Sequence, residues 1–264
     1  MRIIVVDAFT DRPFAGNPAG VCLLDAAADP AWMQRVATEM RHSETAFVRR
    51  DGAEWELRWF TPVLEVALCG HATLASAHTL YETGLAAPDA PIRFRTLHSG
   101  VLTVRRDADG VLEMDFPSVP AQEAPAPDGL ADVFGVTPLW TGRNAQDDWL
   151  VRVSDAATVR ALDPDAEAVA RLDARGVILT APADGDHDFV SRFFGARSLD
   201  GAEDPVTGSA HCALAPYWAE RLGRTALTGY QASARGGSVG VRVEGDRVVL
   251  RGRAVTVLAG DLRV

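Results

Sequence analysis

GHATLASAHTLYE, residues 70–82, and GSAHCALAPYWAE, residues 208–220, decide the fold. Residues 72–81 and 210–219 hold no acid and no arginine. Each reads as a helix that is apolar all round, and such a helix must be covered all round. Small residues such as Ala72, Ala75 and Ala77 let other backbone approach closely. The two stretches lie 138 positions apart. At that spacing Gly70, Ala72, Ala75, Ala77 and Glu82 fall on Gly208, Ala210, Ala213, Ala215 and Glu220. The covering material is expected to be sheet, wrapped around a central helix twice.

The same spacing places Val101 on Val239. These residues open two hairpin-like segments, VLTVRRDADGVLEMDF and VGVRVEGDRVVLRG. Upstream, Arg58-Trp59-Phe60 echoes Arg192-Phe193-Phe194, with four extra residues before the second glycine. Agreement of helix and hairpin at one spacing indicates an internal duplication. A proline-rich stretch, PSVPAQEAPAPDG at residues 117–129, reads as a linker. The expected class is therefore α+β. It has two pseudo-symmetric halves, residues 1–120 and 121–264, each a mainly antiparallel, curved, barrel-like sheet around a buried helix. The last strand is free to return to the first half. An amphipathic helix is expected at Pro30 to Met40, with Trp32, Val36 and Met40 on one face. Pro216 removes a backbone donor inside the second central helix and should kink it.

The chain has 264 residues, a net charge of −10, and 26 basic residues that are all arginine. Without lysine there is no Schiff base, so pyridoxal-phosphate enzymes and lysine-dependent aldolases are excluded. The phosphate-loop lysine is missing too. The acidic balance argues against nucleic acid as a partner, and against an anionic membrane surface. Cys22, Cys69 and Cys212 are too few and too scattered for a disulfide framework. The start, MRIIVVDAFTDRPF, reads as a strand running into a turn rather than a signal peptide. No apolar run reaches the ~18 residues of a membrane span. The expectation is a soluble, cytoplasmic protein.

Both central helices open on glycine followed by a small polar or imidazole residue, Gly70-His71 and Gly208-Ser209. A helix N-terminus has unpaired N–H groups and a partial positive charge, which suits a carboxylate or phosphate. If both ends face one cleft, they can hold an anionic substrate without metal or lysine. As residues alone, the same glycines are equally well read as tight turns. Four motifs shift that balance: DAFTDRPFAGNPAGV at 7–21, HSETAFV at 42–48, FTPVLEVALCGHAT at 60–73 and EDPVTGSAHC at 203–212. As a set, in this order and across nearly the whole chain, they resemble the phenazine-biosynthesis PhzF-like isomerase family. That family is similar in fold to diaminopimelate epimerase.

The resemblance implies roles residue by residue. Glu44, in the SETAF motif, corresponds to the family's acidic catalytic residue. His71, in the GH motif, corresponds to its substrate-binding histidine. Asp204 and Ser209 are the aspartate and serine of the DPVTGS motif. Gly70 and Gly208 would supply backbone donors to a substrate carboxylate, and Asn17 lies in the recurring GNPAGV motif. The implied activity is a proton shift on a small carboxylate-bearing substrate, cyclic in the family's best-known member, without cofactor or metal. A homodimer is implied as well.

The chemistry of the residues agrees. A proton shift needs one group that takes a proton from one carbon and returns it to another, and a carboxylate of raised pKa can do both. Glu44 stands beside Ala46, Phe47 and Val48, so a desolvated pocket that raises its pKa is expected. His71 is read as a donor to substrate, its imidazole kept partly neutral by the helix N-terminus. It makes a poor metal ligand, since His78 and His211 offer no ligand spacing with it. Asp204 can cap the second helix, accept from a substrate, or both. Ser209 opens that helix and can donate.

Three other readings stand beside this one. A cofactor-independent racemase would use one thiol before each central helix. Cys69 is in place, but its counterpart is Thr207, far too weak an acid. Cys212 and Cys22 read as packing. A non-catalytic binding protein would need no glutamate in apolar surroundings. A hotdog-type thioesterase or dehydratase would carry its acid on the central helix, where none occurs before Glu82 and Glu220.

Overall fold

The computed structural model describes residues 1–263. They form two compact units: residues 1–115 with 251–263, and residues 116–250. The boundary thus falls before the proline-rich stretch, at 115/116 rather than 120/121, and the final segment belongs to the first unit.

In the first unit the order is β1 (Arg2–Ala8), β2 (Asn17–Leu24), α1 (Pro30–Met40), β3 (Glu44–Asp51), β4 (Glu54–Phe60), β5 (Glu65–Val66), α2 (Gly70–Glu82), β6 (Ile92–Arg95), β7 (Val101–Arg106) and β8 (Leu112–Pro117). β1 pairs antiparallel with β2, β3 with β4, β4 with β5, β6 with β7 and β7 with β8. The pairs β2–β3 and β4–β6 are parallel.

The second unit runs β9 (Gln122–Glu123), α3 (Leu130–Phe134), β10 (Trp140–Arg143), β11 (Asp148–Arg152), α4 (Ala156–Arg160), α5 (Ala166–Ala170), β12 (Gly176–Pro182), β13 (Phe189–Phe194), β14 (Glu203–Asp204), α6 (Gly208–Leu222), β15 (Ala226–Gln231), β16 (Gly237–Glu244) and β17 (Arg247–Gly252). Its pairings repeat those of the first unit. β10–β11, β12–β13, β13–β14 and β15–β16 are antiparallel, whereas β11–β12 and β13–β15 are parallel. The last strand, β18 (Ala254–Asp261), pairs antiparallel with β1.

The duplication extends to side chains. Phe60 pairs with Glu65 and Phe194 with Glu203. Two residues before each phenylalanine an arginine grips that glutamate with two bonds. Arg58 donates to Glu65 at 2.7 and 2.7 Å, and Arg192 to Glu203 at 2.6 and 2.9 Å. Each guanidinium also lies over its own phenylalanine ring, at 5.4 and 4.9 Å. These clamps tie the short strand that leads into each central helix to the sheet.

Both central helices are buried. In α2 every position from His71 to Tyr81 except His78 is buried, and in α6 only Ser209 and Pro216 interrupt the buried run from Gly208 to Trp218. α1 spans the expected residues, but its most buried face is Met33, Val36 and Ala37, with Trp32 and Met40 flanking it. Its N-cap is Asp29, which accepts from the Ala31 N–H at 3.0 Å.

Pro216 lies inside α6, and the helix continues past it to Leu222. The carbonyl that a proline deprives of its donor is the one four residues earlier, on Cys212. That oxygen accepts instead from the Val119 N–H at 3.1 Å. Ser118 N–H donates to Asp246 O at 2.8 Å, and β9 pairs with β10. The proline-rich stretch is therefore strapped down along the second unit rather than a free linker. No helix among the described residues is long and apolar enough to cross a membrane.

Candidate active site

In the first unit three elements converge on the start of α2. Glu44 opens β3, Asn17 opens β2, and Cys69 is the N-cap residue before Gly70 and His71. β2 and β3 are parallel neighbours, which brings their first residues to the same end of the sheet. Gly16 makes the turn into β2. Its φ is +64°, and a Cβ there would stand 2.1 Å from the Ala8 carbonyl oxygen, so no other residue fits.

His71 is the centre of this group. Its Nε2 lies 3.3 Å from Glu44 Oε2. On its other edge, Nδ1 lies 3.3 Å from Asn17 Nδ2 and 3.5 Å from Cys69 Sγ. Asn17 is fully buried, His71 and Cys69 are buried, and Glu44 keeps 15% of its side chain exposed. Burial pushes the imidazole down to about 3, with a smaller contribution from the charge of His42. The ring is therefore neutral across the physiological range. Loss of solvent is the largest cause.

Glu44, Cys69 and His71 also offer one donor atom each within 4.8 Å of one another, the set that a metal ion would draw on in this unit. The thiol lies against the Nδ1 edge and the carboxylate against Nε2.

In the second unit the corresponding end of α6 carries different chemistry. Thr207 is the N-cap residue, and its hydroxyl donates to Asp204 Oδ2 at 2.5 Å. Gln231, fully buried on β15, accepts from the Thr207 N–H at 2.9 Å and donates to the Asp204 carbonyl at 2.7 Å. The loop bearing Asp204 is thereby fixed. Asp204 engages the N-cap residue's hydroxyl, so the aspartate shapes the entry to the helix. Neither N-cap side chain, Cys69 or Thr207, makes a cap bond to a backbone N–H of the first helical turn. Gly208 is buried, and Ser209 and Asp204 are half-buried.

A guanidinium that was not read from the sequence sits at this end. Arg175, the residue before β12, donates to Ser209 Oγ at 3.2 Å and to Gln146 Oε1 at 3.3 Å, and it pairs with Asp148. Asp148 is fully buried, which raises its carboxyl pKa against the opposing pull of Arg175. It also accepts from the Asn144 amide at 3.2 Å. Because Ser209 accepts from Arg175, its own proton is left for another acceptor. Arg175 has no sequence mark beyond standing before the apolar run GVILT. Only the fold reveals that it meets Ser209, 34 residues away.

A family model described as phenazine biosynthesis-like protein (PhzC-PhzF) matches residues 6–260. The chain belongs to the PhzF-like family. An uncharacterized isomerase of Halalkalibacterium halodurans is 47% identical over 263 residues, covering 98% of this chain and 97% of the relative. The crystal structure of a phenazine biosynthesis PhzF-family protein from Enterococcus faecalis superposes with a TM-score of 0.94 at 38% identity, covering 100% of this chain and 99% of that one. A predicted epimerase from Pseudomonas aeruginosa shares the fold, with a TM-score of 0.77 at 23% identity over 100% of this chain and 99% of that one. Membership of the PhzF-like family supports an isomerase function.

Proposed function

We propose that this PhzF-like protein is a cofactor- and metal-independent isomerase that shifts a proton on a small, carboxylate-bearing metabolite, cyclic substrates included. Glu44 is the acid and base. As carboxylate it takes a proton from one substrate carbon, leaving the electron pair delocalised toward the substrate's own unsaturated or carboxyl group. As carboxylic acid it returns that proton to a second carbon, so substrate and product are isomers and the enzyme is unchanged. His71 holds the carboxylate and steadies developing negative charge as a neutral donor. Asp204 and Ser209 take polar groups of the substrate, and the backbone N–H groups at Gly70 and Gly208 take its carboxylate.

One observation carries the choice of a single acid/base. Thr45 pairs with Phe60, and Val177 pairs with Phe194, so the strand position of Glu44 is Gly176 in the second unit. A Cβ on Gly176 would stand 2.4 Å from the Phe193 ring. No side chain fits there, so the second unit offers no matching carboxylate. The position of Cys69 is likewise Thr207 there, which leaves no second thiol. A mechanism with two opposed bases at equivalent positions of the two units lacks its partner, whether carboxylate or thiol.

The test is incubation with candidate cyclic amino and hydroxy acids in D₂O, for the wild type and for Glu44→Gln. Deuterium incorporation and product formation are followed together, because a carboxyl can return its own proton without label. Turnover by the wild type and none by Glu44→Gln supports the reading. Undiminished turnover in Glu44→Gln sinks it. A bound carboxylate that is never altered would support a binding protein instead.

A further inference from the structure

We infer that Asn17 is a positioning residue. With Cys69 beside it, it fixes His71 as the neutral tautomer that carries its proton on Nε2, the nitrogen nearer Glu44. The donors and acceptors around one ring decide its state. An imidazole that is neutral has one N–H and one lone pair, and whichever group faces one nitrogen determines the state of the other. The amide nitrogen of Asn17 can only donate. It stands 3.3 Å from Nδ1. A proton on Nδ1 would put N–H against N–H, so Nδ1 must present its lone pair. The thiol of Cys69, 3.5 Å from the same nitrogen, is a second group able to donate there. The ring proton is thereby sent to Nε2, which faces Glu44 Oε2 at 3.3 Å. The pair lacks hydrogen-bond alignment, yet a proton on Nε2 meets the carboxylate with favourable sign, where a lone pair would repel it.

The opposite arrangement fails at both ends. With the Asn17 carbonyl at Nδ1, the ring would carry Nδ1–H and turn a lone pair toward the Glu44 carboxylate. An imidazolium would need a proton on Nδ1 as well, again against the amide N–H. Asn17 is fully buried and His71 is buried, so water does not relieve either conflict. The backbone of β2 holds the amide in place, since Asn17 is its first residue, paired with Ala8 of β1.

The consequence for chemistry deepens the reading of Glu44 as the acid/base and rests on it. An Nε2–H turns the positive edge of the ring toward the Glu44 carboxylate. It also makes His71 a donor that cannot itself remove a proton from carbon, because its only lone pair is engaged by Asn17. The tautomer does not depend on that reading.

The test is ¹⁵N NMR of the full chain labelled at histidine, with the His71 ring assigned by its loss in His71→Gln. In the wild type, the one-bond N–H coupling is expected at Nε2 of His71 and not at Nδ1. Asn17→Asp replaces the donor with an acceptor of the same shape and is expected to bring a proton to Nδ1. Cys69→Ala is expected to keep the wild-type pattern. A proton on Nδ1 in the wild type overturns the inference, as does an unchanged Nδ1 in folded Asn17→Asp. Should the buried aspartate prevent folding, the wild-type spectrum decides alone. None of these spectra requires a substrate, so loss of the proposed activity and loss of this assignment are separate results.

Discussion

At the start of α2 a carboxylate, Glu44, faces an imidazole; at the start of α6 a guanidinium, Arg175, faces a hydroxyl. The scaffolds beneath are the same. Both N-cap carbonyls accept a side-chain donor from four residues on, Thr73 Oγ1 to Cys69 O at 2.5 Å and His211 Nδ1 to Thr207 O at 2.8 Å. Both entry strands are clamped by an arginine–glutamate pair. What differs is the residue at the end of the strand beside the helix and the second residue of the helix itself. Duplication kept the parts that place a helix N-terminus and freed the parts that face outward from it. One unit came to hold a carboxylate beside an imidazole, and the other a fixed positive charge already matched by a buried aspartate.

The largest effect that could break this comparison is kinetic. Glu44→Gln is expected to lower kcat by about 10²–10⁴-fold, the usual worth of a positioned acid/base, while urea unfolding shows a stability close to that of the wild type. Arg175→Ala is expected to behave the other way round. It leaves the buried Asp148 unpaired and should cost about 3 kcal/mol of stability, read as a lower urea midpoint with the slope unchanged. Adding Asp148→Asn should recover part of that loss. If Arg175→Ala is as stable as the wild type, the charge in the second unit is not structural and the contrast between the units fails.

A smaller effect concerns what the two units share, a buried neutral histidine near each helix start. Burial lowers His71 to about 3 and His211 to about 4. In the unfolded chain both titrate near 6.5. As pH falls below 6.5 the unfolded state takes up protons that the native state refuses, so stability is present above 6.5 and is lost as pH falls toward 4 and then 3. For His211 the expected loss between pH 6.5 and 5 is about 1.5 kcal/mol. Urea titrations of the wild type and His211→Gln should show that slope in the first and its absence in the second. The same shift removes the ordinary histidine step near pH 6.5 from any rate profile that depends on His71.

The smallest effect sharpens the contrast between the N-caps. Cys69→Ser leaves a hydroxyl where the second unit already has one, and turnover is expected to fall by less than about tenfold, well below the loss for a catalytic acid/base. Loss of turnover in Cys69→Ser with Glu44→Gln still active would restore a thiol mechanism.

Much of the fold was legible because two charge-free helices have few ways to be buried, and because their repeat spacing also aligns the hairpins and the Arg-x-Phe echoes. The motifs placed Glu44, His71, Asp204 and Ser209 at the ends of elements, as the structure has them. The strapping of residues 117–129 was not legible. Proline-rich composition signals poor packing, yet here backbone N–H groups from that stretch and from β9 meet acceptors elsewhere in the unit, one of them the Cys212 carbonyl released by Pro216. Arg175, Asp148 and Gln231 were missed for a related reason: a polar residue beside an apolar strand has no sequence signature for its partner.

By itself the sequence determined the duplication, the burial of both central helices, the family and the types of group available to the chemistry. Those follow from periodicity, charge pattern and motif, which act over short stretches of chain. Only the tertiary structure decided which groups meet. It put Asn17 behind His71, turned Arg175 onto Ser209 and filled the counterpart of Glu44 with the Phe193 ring. Such contacts join residues tens of positions apart, and they are set by strand register and by the exclusion of water, neither of which is written at any one position.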